Sequence, residues 1–155
     1  VTTTIACANG ETIILQHDTN LPRPYSLGFR VQGTKGIWMD LNKSVHIEGK
    51  SEAHKWDDAK EWFDKYDHPL WKKYGNDAQG AGHGGMDFFV LHAFVEAAKR
   101  NTETPLDVYD GAAWSAITPL SEQSIELGNE TIDFPDFTGG KWMTKKPIFA
   151  LNDEY

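Results

Sequence analysis

Strand signals fill the first third of this sequence and helix signals fill most of the rest, and this order constrains the fold more than any other feature. The β-branched runs 2–8 and 11–16 flank Asn9 and Gly10, a pair that favours tight hairpins because both turn positions need positive φ. Further strands are predicted over residues 26–32, 37–39 and 45–47. Consecutive strands joined by short turns are typical of an antiparallel sheet.

Helix signals dominate after residue 56. Helices are predicted from a cap at Asp57 or Asp58 to about residue 74 with an interruption at Pro69, over 86–100, and over 106–127 with a kink or break at Pro119. A short strand is predicted over 131–134, followed by an irregular tail from residue 136 to residue 155. Strands first and helices second, without alternation, predict an α+β fold: an open-faced, mostly antiparallel sheet with helices packed on one face.

Charge and cysteine content exclude several classes of protein. The chain has 155 residues, enough for a single domain with its own core, and 15 basic against 23 acidic residues give a net charge of −8. This balance argues against nucleic acid and against an anionic membrane surface as partners. No apolar run approaches the length of a membrane span. The single cysteine, Cys7, forms no disulfide framework within one chain and is expected in a buried strand.

The segment from residue 17 to residue 26 is the first candidate site. It follows a strand, and Pro22 and Pro24 stiffen it, so Arg23 and Tyr25 would be presented with little loss of entropy. A tyrosine can stack on a sugar and hydrogen-bond a hydroxyl group. The alternative is a proline-rich connection with a surface arginine and a half-buried tyrosine.

The second candidate is His83, which has glycines on both sides and precedes the predicted helix that contains Asp87 in its first turn. Glycines let the backbone approach a ligand closely, and a histidine there can bind hydrogen-bonding groups or move protons. The alternatives are a loop histidine bonded to backbone and a carboxylate that only balances the helix dipole. The glycine pattern of residues 80–85 follows no predicted strand of a βαβ unit, so no cofactor-binding residue is assigned.

Other aromatic and histidine residues have mainly structural interpretations. His68 precedes Pro69 and is interpreted as a helix-break residue, and the remaining histidines show no metal-like pairing, so no metal site is predicted. Trp71, Trp114 and Trp142 offer a possible sugar-stacking platform, although tryptophans of this kind are more often core residues.

Three stretches together carry a family resemblance. They are residues 16–18 with 22–26, residues 82–88, and residues 107–110 with 114–115 and 119–122. This pattern resembles the C-terminal domain of the glucose–fructose oxidoreductase and inositol dehydrogenase superfamily, and it is most similar to glycoside hydrolase family 109. The resemblance covers residues 2–145. It implies that residues 1–155 form one C-terminal substrate and oligomerisation domain, and that an N-terminal Rossmann domain, which binds NAD, is absent from this chain.

The resemblance also implies an activity. Such enzymes are α-N-acetylgalactosaminidase-like and work by transient oxidation of a sugar hydroxyl, elimination, hydration and re-reduction. The main catalytic groups would then lie outside this chain, and the isolated chain would be inactive. Tyr25 is the first candidate for a substrate contact and Tyr66 the second, with Arg23, His83 and Asp87 lining the site.

Two alternatives stay open at this point. One is an NAD(P)-dependent sugar or polyol dehydrogenase, which would accumulate NADH where a redox-neutral hydrolase would not. The other is a non-catalytic carbohydrate-binding or oligomerisation module, for which a homo-oligomer through the open sheet is the expected partner arrangement. The resemblance implies a bacterial periplasmic or cell-envelope protein, and the single cysteine leaves a cytoplasmic location open.

Overall fold

The chain is known from a computed structural model that describes residues 1–146 and Glu154. It divides into two compact units, Val1–Asp67 and His68–Tyr155. The first unit contains antiparallel strands and one helix, and the described part of the second contains helices and turns. The α+β class with open sheets is therefore confirmed, although the strands form two separate sheets and not the single sheet that was expected.

The first sheet is the predicted hairpin. Strands β1 (Thr2–Ala6) and β2 (Thr12–Gln16) pair antiparallel, with Thr4 opposite Ile14. The connecting turn differs from the predicted one. In this fully described turn only Gly10 has positive φ, and its N–H donates to the Cys7 carbonyl, so the turn is of the bulge type that needs one left-handed residue. Cys7 consequently lies in the turn and is half-buried, where a buried strand position was expected.

The second sheet has four antiparallel strands in the order β3-β4-β5-β6. They are β3 (Arg30–Gly33), β4 (Gly36–Met39), β5 (Ser44–Ile47) and β6 (Asp57–Asp58). Strand β3 is shorter than the prediction of 26–32, and β6 was not predicted because two residues carry no periodic signal. Val45, in the middle of β5, is buried opposite Trp38 of β4.

Helix α1 (Ala59–Tyr66) packs beside this sheet. The carboxylate of Asp58 accepts a hydrogen bond from the Lys60 N–H at 2.8 Å, which caps the helix as predicted. Ala59 is buried, and the ring of Phe63 contacts that of Trp38 edge-on with centroids 6.2 Å apart. These contacts place α1 against β4 and β5 and fix the face of the helix that remains open.

The second unit begins with α2 (Pro69–Tyr74) and α3 (Met86–Arg100). The predicted interruption is confirmed, because Pro69 opens a new helix and His68 Nδ1 accepts from the Leu70 N–H at 3.2 Å. The ring of Trp71 packs on Phe89 of α3, with centroids 4.4 Å apart. The boundaries of α3 match the prediction.

Helix α4 (Val108–Glu126) starts with a capping box and ends with a Schellman motif. Asp107 accepts from the N–H groups of Tyr109 and Asp110, and the Asn129 N–H returns to the Ser124 carbonyl at 2.7 Å. The helix runs through Pro119 without a break, so of the two alternatives predicted there, a kink or a split, the split is wrong.

The described tail is irregular apart from a short 3-10 turn, Lys141–Met143. The predicted strand over 131–134 is wrong, because these residues form no ladder within the described chain. The irregular tail was predicted to reach residue 155, but residues 147–153 and 155 lie outside the described residues.

Candidate functional site

His83 and Asp87 form a hydrogen-bonded pair at the start of α3. The His83 Nδ1 lies 2.9 Å from Oδ1 and 3.1 Å from Oδ2 of Asp87. An ionised carboxylate only accepts hydrogen bonds, so Nδ1 carries the proton, and in the neutral ring Nε2 is the acceptor. The structure thus shows His83 bonded to a side chain, and the alternative of a histidine bonded to backbone is wrong.

Glycines make this pairing possible. Gly84 and Gly85 have φ of 70° and 98°, which compresses the chain into a short 3-10 turn directly before α3. His83 itself has φ of 54°, an uncommon conformation for a residue with a side chain. A Cβ on Gly82 would lie 2.2 Å from the Oδ2 of Asp87. The glycine at position 82 therefore leaves the space that the carboxylate occupies.

The pair is accessible to a ligand. The side chains of His83 and Asp87 are 75% and 49% exposed. Asp87 also lines an open groove of about 540 Å³, whose walls include Phe88, Leu91 and Val95 of α3. A histidine oriented by a carboxylate can accept a proton or a hydrogen bond from a bound hydroxyl group.

Arg23 and Tyr25 share a loop of the first unit. Arg23 donates to the carbonyls of Ser26 and Asp18 at 3.2 and 3.4 Å and lies 3.5 Å from the Asp18 carboxylate. These bonds fold the loop around the arginine and present Tyr25, which is 88% exposed. The alternative of a half-buried tyrosine is wrong. The predicted substrate contacts of Arg23 and Tyr25 stay predictions.

Tyr66 lies at the end of α1 beside Trp62. The two rings are nearly parallel, with centroids 5.7 Å apart and an interplanar angle of 22°. A hydrogen bond from Lys65, and then the charge of Lys50, hold the pKa of the Tyr66 phenol below its ordinary value of 10.0. These residues line an open cleft of about 710 Å³ in the first unit.

The predicted site residues therefore fall into three groups. His83 and Asp87 form one pair in the second unit, Arg23 and Tyr25 share one loop of the first, and Tyr66 belongs to the cleft on α1. The spacing of four residues between His83 and Asp87 is the signal from which their pairing could have been predicted. The contribution of Lys50 and Trp62 to the cleft was missed, because only the fold brings Lys50 to this helix.

The tryptophans proposed as a stacking platform have different environments. Trp71 packs on Phe89 but is 38% exposed, so it is not the buried core residue that was expected. Trp114 and Trp142 are 60% and 47% exposed.

The described residues do not form the βαβ unit of a dinucleotide-binding fold. The glycine-rich segment 80–85 follows α2 and a series of turns, and all strand pairs in the described chain are antiparallel, so the βαβ unit that holds a pyrophosphate is not formed here. Within residues 1–146 and Glu154, no three His, Cys, Asp or Glu side chains come together as a metal site would require. The described helices are all too short or too polar to cross a membrane.

Together, these features define an α+β fold with a histidine–carboxylate pair in the second unit and an aromatic cleft in the first, both exposed to solvent. Residues 1–144 match the family model described as glycosyl hydrolase 109, C-terminal domain, and the chain belongs to this family. It is 63% identical over its whole length to a glycosyl hydrolase family 109 protein of Stenotrophomonas maltophilia. It is also 55% and 43% identical, over 97% and 95% of its length, to α-N-acetylgalactosaminidases of Tannerella forsythia and Shewanella oneidensis. The chain spans 34%, 32% and 33% of these relatives, about a third of their length.

Proposed function

We propose that this chain is the substrate-side domain of a bacterial glycosidase that removes α-linked N-acetylgalactosamine. The observation that carries the proposal is the family match over residues 1–144, which includes every candidate site residue. Two similar proteins are named for this activity. The exposed His83–Asp87 pair and the exposed Tyr25 supply groups that a sugar-binding site needs.

His83 is the proposed proton-handling group of this domain. Its Nε2 faces no partner in the described chain and is the acceptor in the neutral ring. Asp87 holds the proton on Nδ1, fixes the ring orientation and stabilises the imidazolium when Nε2 takes a proton. A positioned base of this kind contributes about 10²–10⁴-fold to a rate.

Tyr25 is the proposed sugar contact. Its ring offers an apolar face to the C–H side of a pyranose, and its hydroxyl can donate to or accept from a sugar hydroxyl. Arg23 supports this contact by holding the loop through Ser26 and Asp18. The phenol is therefore presented on a braced segment, which lowers the entropy lost on binding.

NAD is the proposed cofactor of the whole protein, and we assign none of the described residues to binding it. It would be held by a Rossmann domain outside this chain, and it would supply reversible oxidation of a sugar hydroxyl. This part of the proposal rests on the family resemblance, as do an inactive isolated chain, a homo-oligomer through the open sheet and a periplasmic or cell-envelope location. The alternative of a dehydrogenase uses the same cofactor but ends with net reduction of NAD.

The experiment is a glycosidase assay on the full-length protein that contains this chain. A panel of p-nitrophenyl glycosides should show preferential release from the α-N-acetylgalactosaminide. Tyr25→Phe should raise KM, and His83→Ala should lower kcat. Absence of release from every α-glycoside in the panel, by folded protein, would contradict the proposal.

A further inference from the structure

The cleft on α1 combines the features of a sugar-binding subsite. It lies entirely in the first unit and has a volume of about 710 Å³. Its walls include Trp62 and Tyr66 from α1, Lys50 from the loop after β5, and Glu61 and Lys65 beside the aromatic pair.

The aromatic wall is set by the helix. Trp62 and Tyr66 are four residues apart, so α1 places them on one face with nearly parallel rings, 5.7 Å between centroids. Phe63 faces the sheet through Trp38, which leaves the Trp62–Tyr66 face directed away from that contact. Trp62 is half-buried and Tyr66 is 57% exposed, so the pair combines a fixed ring with an accessible one.

Ammonium groups and carboxylates both surround this aromatic wall. The ammonium groups of Lys50 and Lys65 lie 5.3 Å from the Trp62 ring centroid and 5.1 Å from that of Tyr66. The carboxylate of Asp57 accepts from Ser51 and that of Asp58 caps α1, whereas Glu61 has no hydrogen-bond or ion-pair partner within the described chain. The cleft thus offers donors and acceptors next to an apolar ring face.

We propose that this cleft binds a neutral sugar unit of the glycan substrate other than the terminal N-acetylgalactosamine. A pyranose has one C–H face for Trp62 and Tyr66, and its hydroxyls both donate and accept, which suits Lys50 and Glu61 together. The lining contains more carboxylates than lysines, and this disfavours a sugar that carries a carboxylate or sulfate. The inference rests on the proposed glycosidase function, since it names a second contact with the same substrate.

The test compares a short and a long substrate in the full-length protein. The short one is p-nitrophenyl α-N-acetylgalactosaminide, and the long one is a neutral trisaccharide ending in α-N-acetylgalactosamine. Trp62→Ala should lower the ratio of kcat/KM for the trisaccharide to that for the aryl glycoside about tenfold or more. The matched control is Trp56→Ala, an exposed tryptophan of the same unit, which should leave the ratio unchanged. Glu61→Gln removes a charge without removing volume, and it should lower the ratio in a protein that folds normally.

A direct binding measurement separates this inference from the glycosidase proposal. Calorimetry with the trisaccharide should show at least tenfold weaker binding in Trp62→Ala, whether or not the protein hydrolyses anything. If the parent hydrolyses these substrates, and Trp62→Ala and Glu61→Gln leave both the kcat/KM ratio and the affinity for the trisaccharide unchanged, the proposed sugar site in the cleft is wrong. The glycosidase proposal would still hold. Failure of the parent protein to bind the trisaccharide, or tighter binding of its sialylated form, would also overturn the proposal.

Discussion

The His83 Nδ1 lies 2.9 Å from the Oδ1 of Asp87, across one turn of backbone that glycines shape. Helix α3 fixes the position of Asp87, and the short 3-10 turn before it gives His83 its orientation. The hydrogen bond of the pair is therefore local in sequence. In the proposed function, the Nε2 of His83 is the atom that acts on a ligand.

Asp87→Asn should lower kcat of the full-length glycosidase about 100-fold with little change in KM, because the amide no longer holds the proton on Nδ1 as an anion does. The measurement is steady-state hydrolysis of p-nitrophenyl α-N-acetylgalactosaminide. Asp77→Asn, in the turns between α2 and α3, is the matched control and should retain full activity. The double variant Asp87→Asn with His83→Gln should have a kcat no lower than that of the slower single variant. Additive losses would show that the two residues act separately.

Gly82→Ala should reproduce much of the loss seen for Asp87→Asn. Gly82 has φ of −57° and ψ of 161°, which alanine adopts freely, so the clash with Asp87 at 2.2 Å is the cost of the substitution. Kinetics and thermal melting of the same preparation check this. The control is Gly111→Ala in α4, where the added methyl meets no atom within 4 Å. It should keep activity and raise stability by about 0.5–1 kcal/mol, because helical glycine costs entropy. Full activity in Gly82→Ala would contradict the packing argument.

Lys145→Gln should lower the melting temperature at neutral pH and low salt. The Lys145 Nζ lies 2.7 Å from Asp107 and 2.8 Å from Asp110, so it joins the tail to the capping box of α4. Lys145 holds the pKa of Asp107 below its ordinary value of 3.8, and Asp107 and Asp110 hold the pKa of Lys145 above 10.5. Lys141→Gln, a nearby exposed lysine, is the control and should melt as the parent does.

The stabilisation by Lys145 should depend on pH in a defined direction. A lowered carboxyl pKa stabilises the fold above the ordinary value of 3.8, and this contribution is lost as the pH falls through the lowered pKa. A raised lysine pKa stabilises the fold below 10.5, and this contribution is lost as the pH rises through the raised value. The difference in melting temperature between the parent and Lys145→Gln should therefore be largest near neutral pH and should vanish in strong acid. A difference that persists at the acid end would show that the lysine acts through packing alone.

Lys65→Gln should move the ionisation of Tyr66 to higher pH. The hydrogen bond from Lys65 is the main cause of the lowered phenol pKa, and the charge of Lys50 is the second, so Lys50→Gln should move it less. Ultraviolet titration of the parent minus that of Tyr66→Phe isolates this phenol. Lys35→Gln, an exposed lysine of the β3–β4 turn, serves as the control. If the titration of Tyr66 is unchanged in both Lys65→Gln and Lys50→Gln, the two lysines do not interact with the phenol.

Local signals predicted the elements with the strongest periodicity. The β-branched runs around Gly10 gave the hairpin, and the apolar spacing of 86–100 gave α3 with its observed boundaries. Strand β6 and the separation into two sheets were missed, because the partners of a two-residue strand are chosen by tertiary contacts. The prediction of a strand over 131–134 was wrong for the same reason, because apolar residues alone do not provide a pairing partner.

The candidate site was predictable only where it is local in sequence. His83 and Asp87 are one helical turn apart, and Arg23 and Tyr25 share a short loop, so sequence selected both pairs. The cleft was not predictable, because Lys50 reaches Trp62 only after β5 and α1 have packed. Tyr66 was selected, but its lysine partners and stacked tryptophan were not.

The most direct test of the proposed function is an assay of NAD and glycoside release in one preparation of the full-length protein. The proposal predicts that NAD co-purifies, that p-nitrophenol is released from the α-N-acetylgalactosaminide over many turnovers per bound cofactor, and that NADH does not accumulate. Bound NAD with accumulating NADH and no release would identify a dehydrogenase. A folded protein that neither binds NAD nor releases p-nitrophenol would contradict both the glycosidase and the dehydrogenase. A non-catalytic binding module would then be the remaining interpretation.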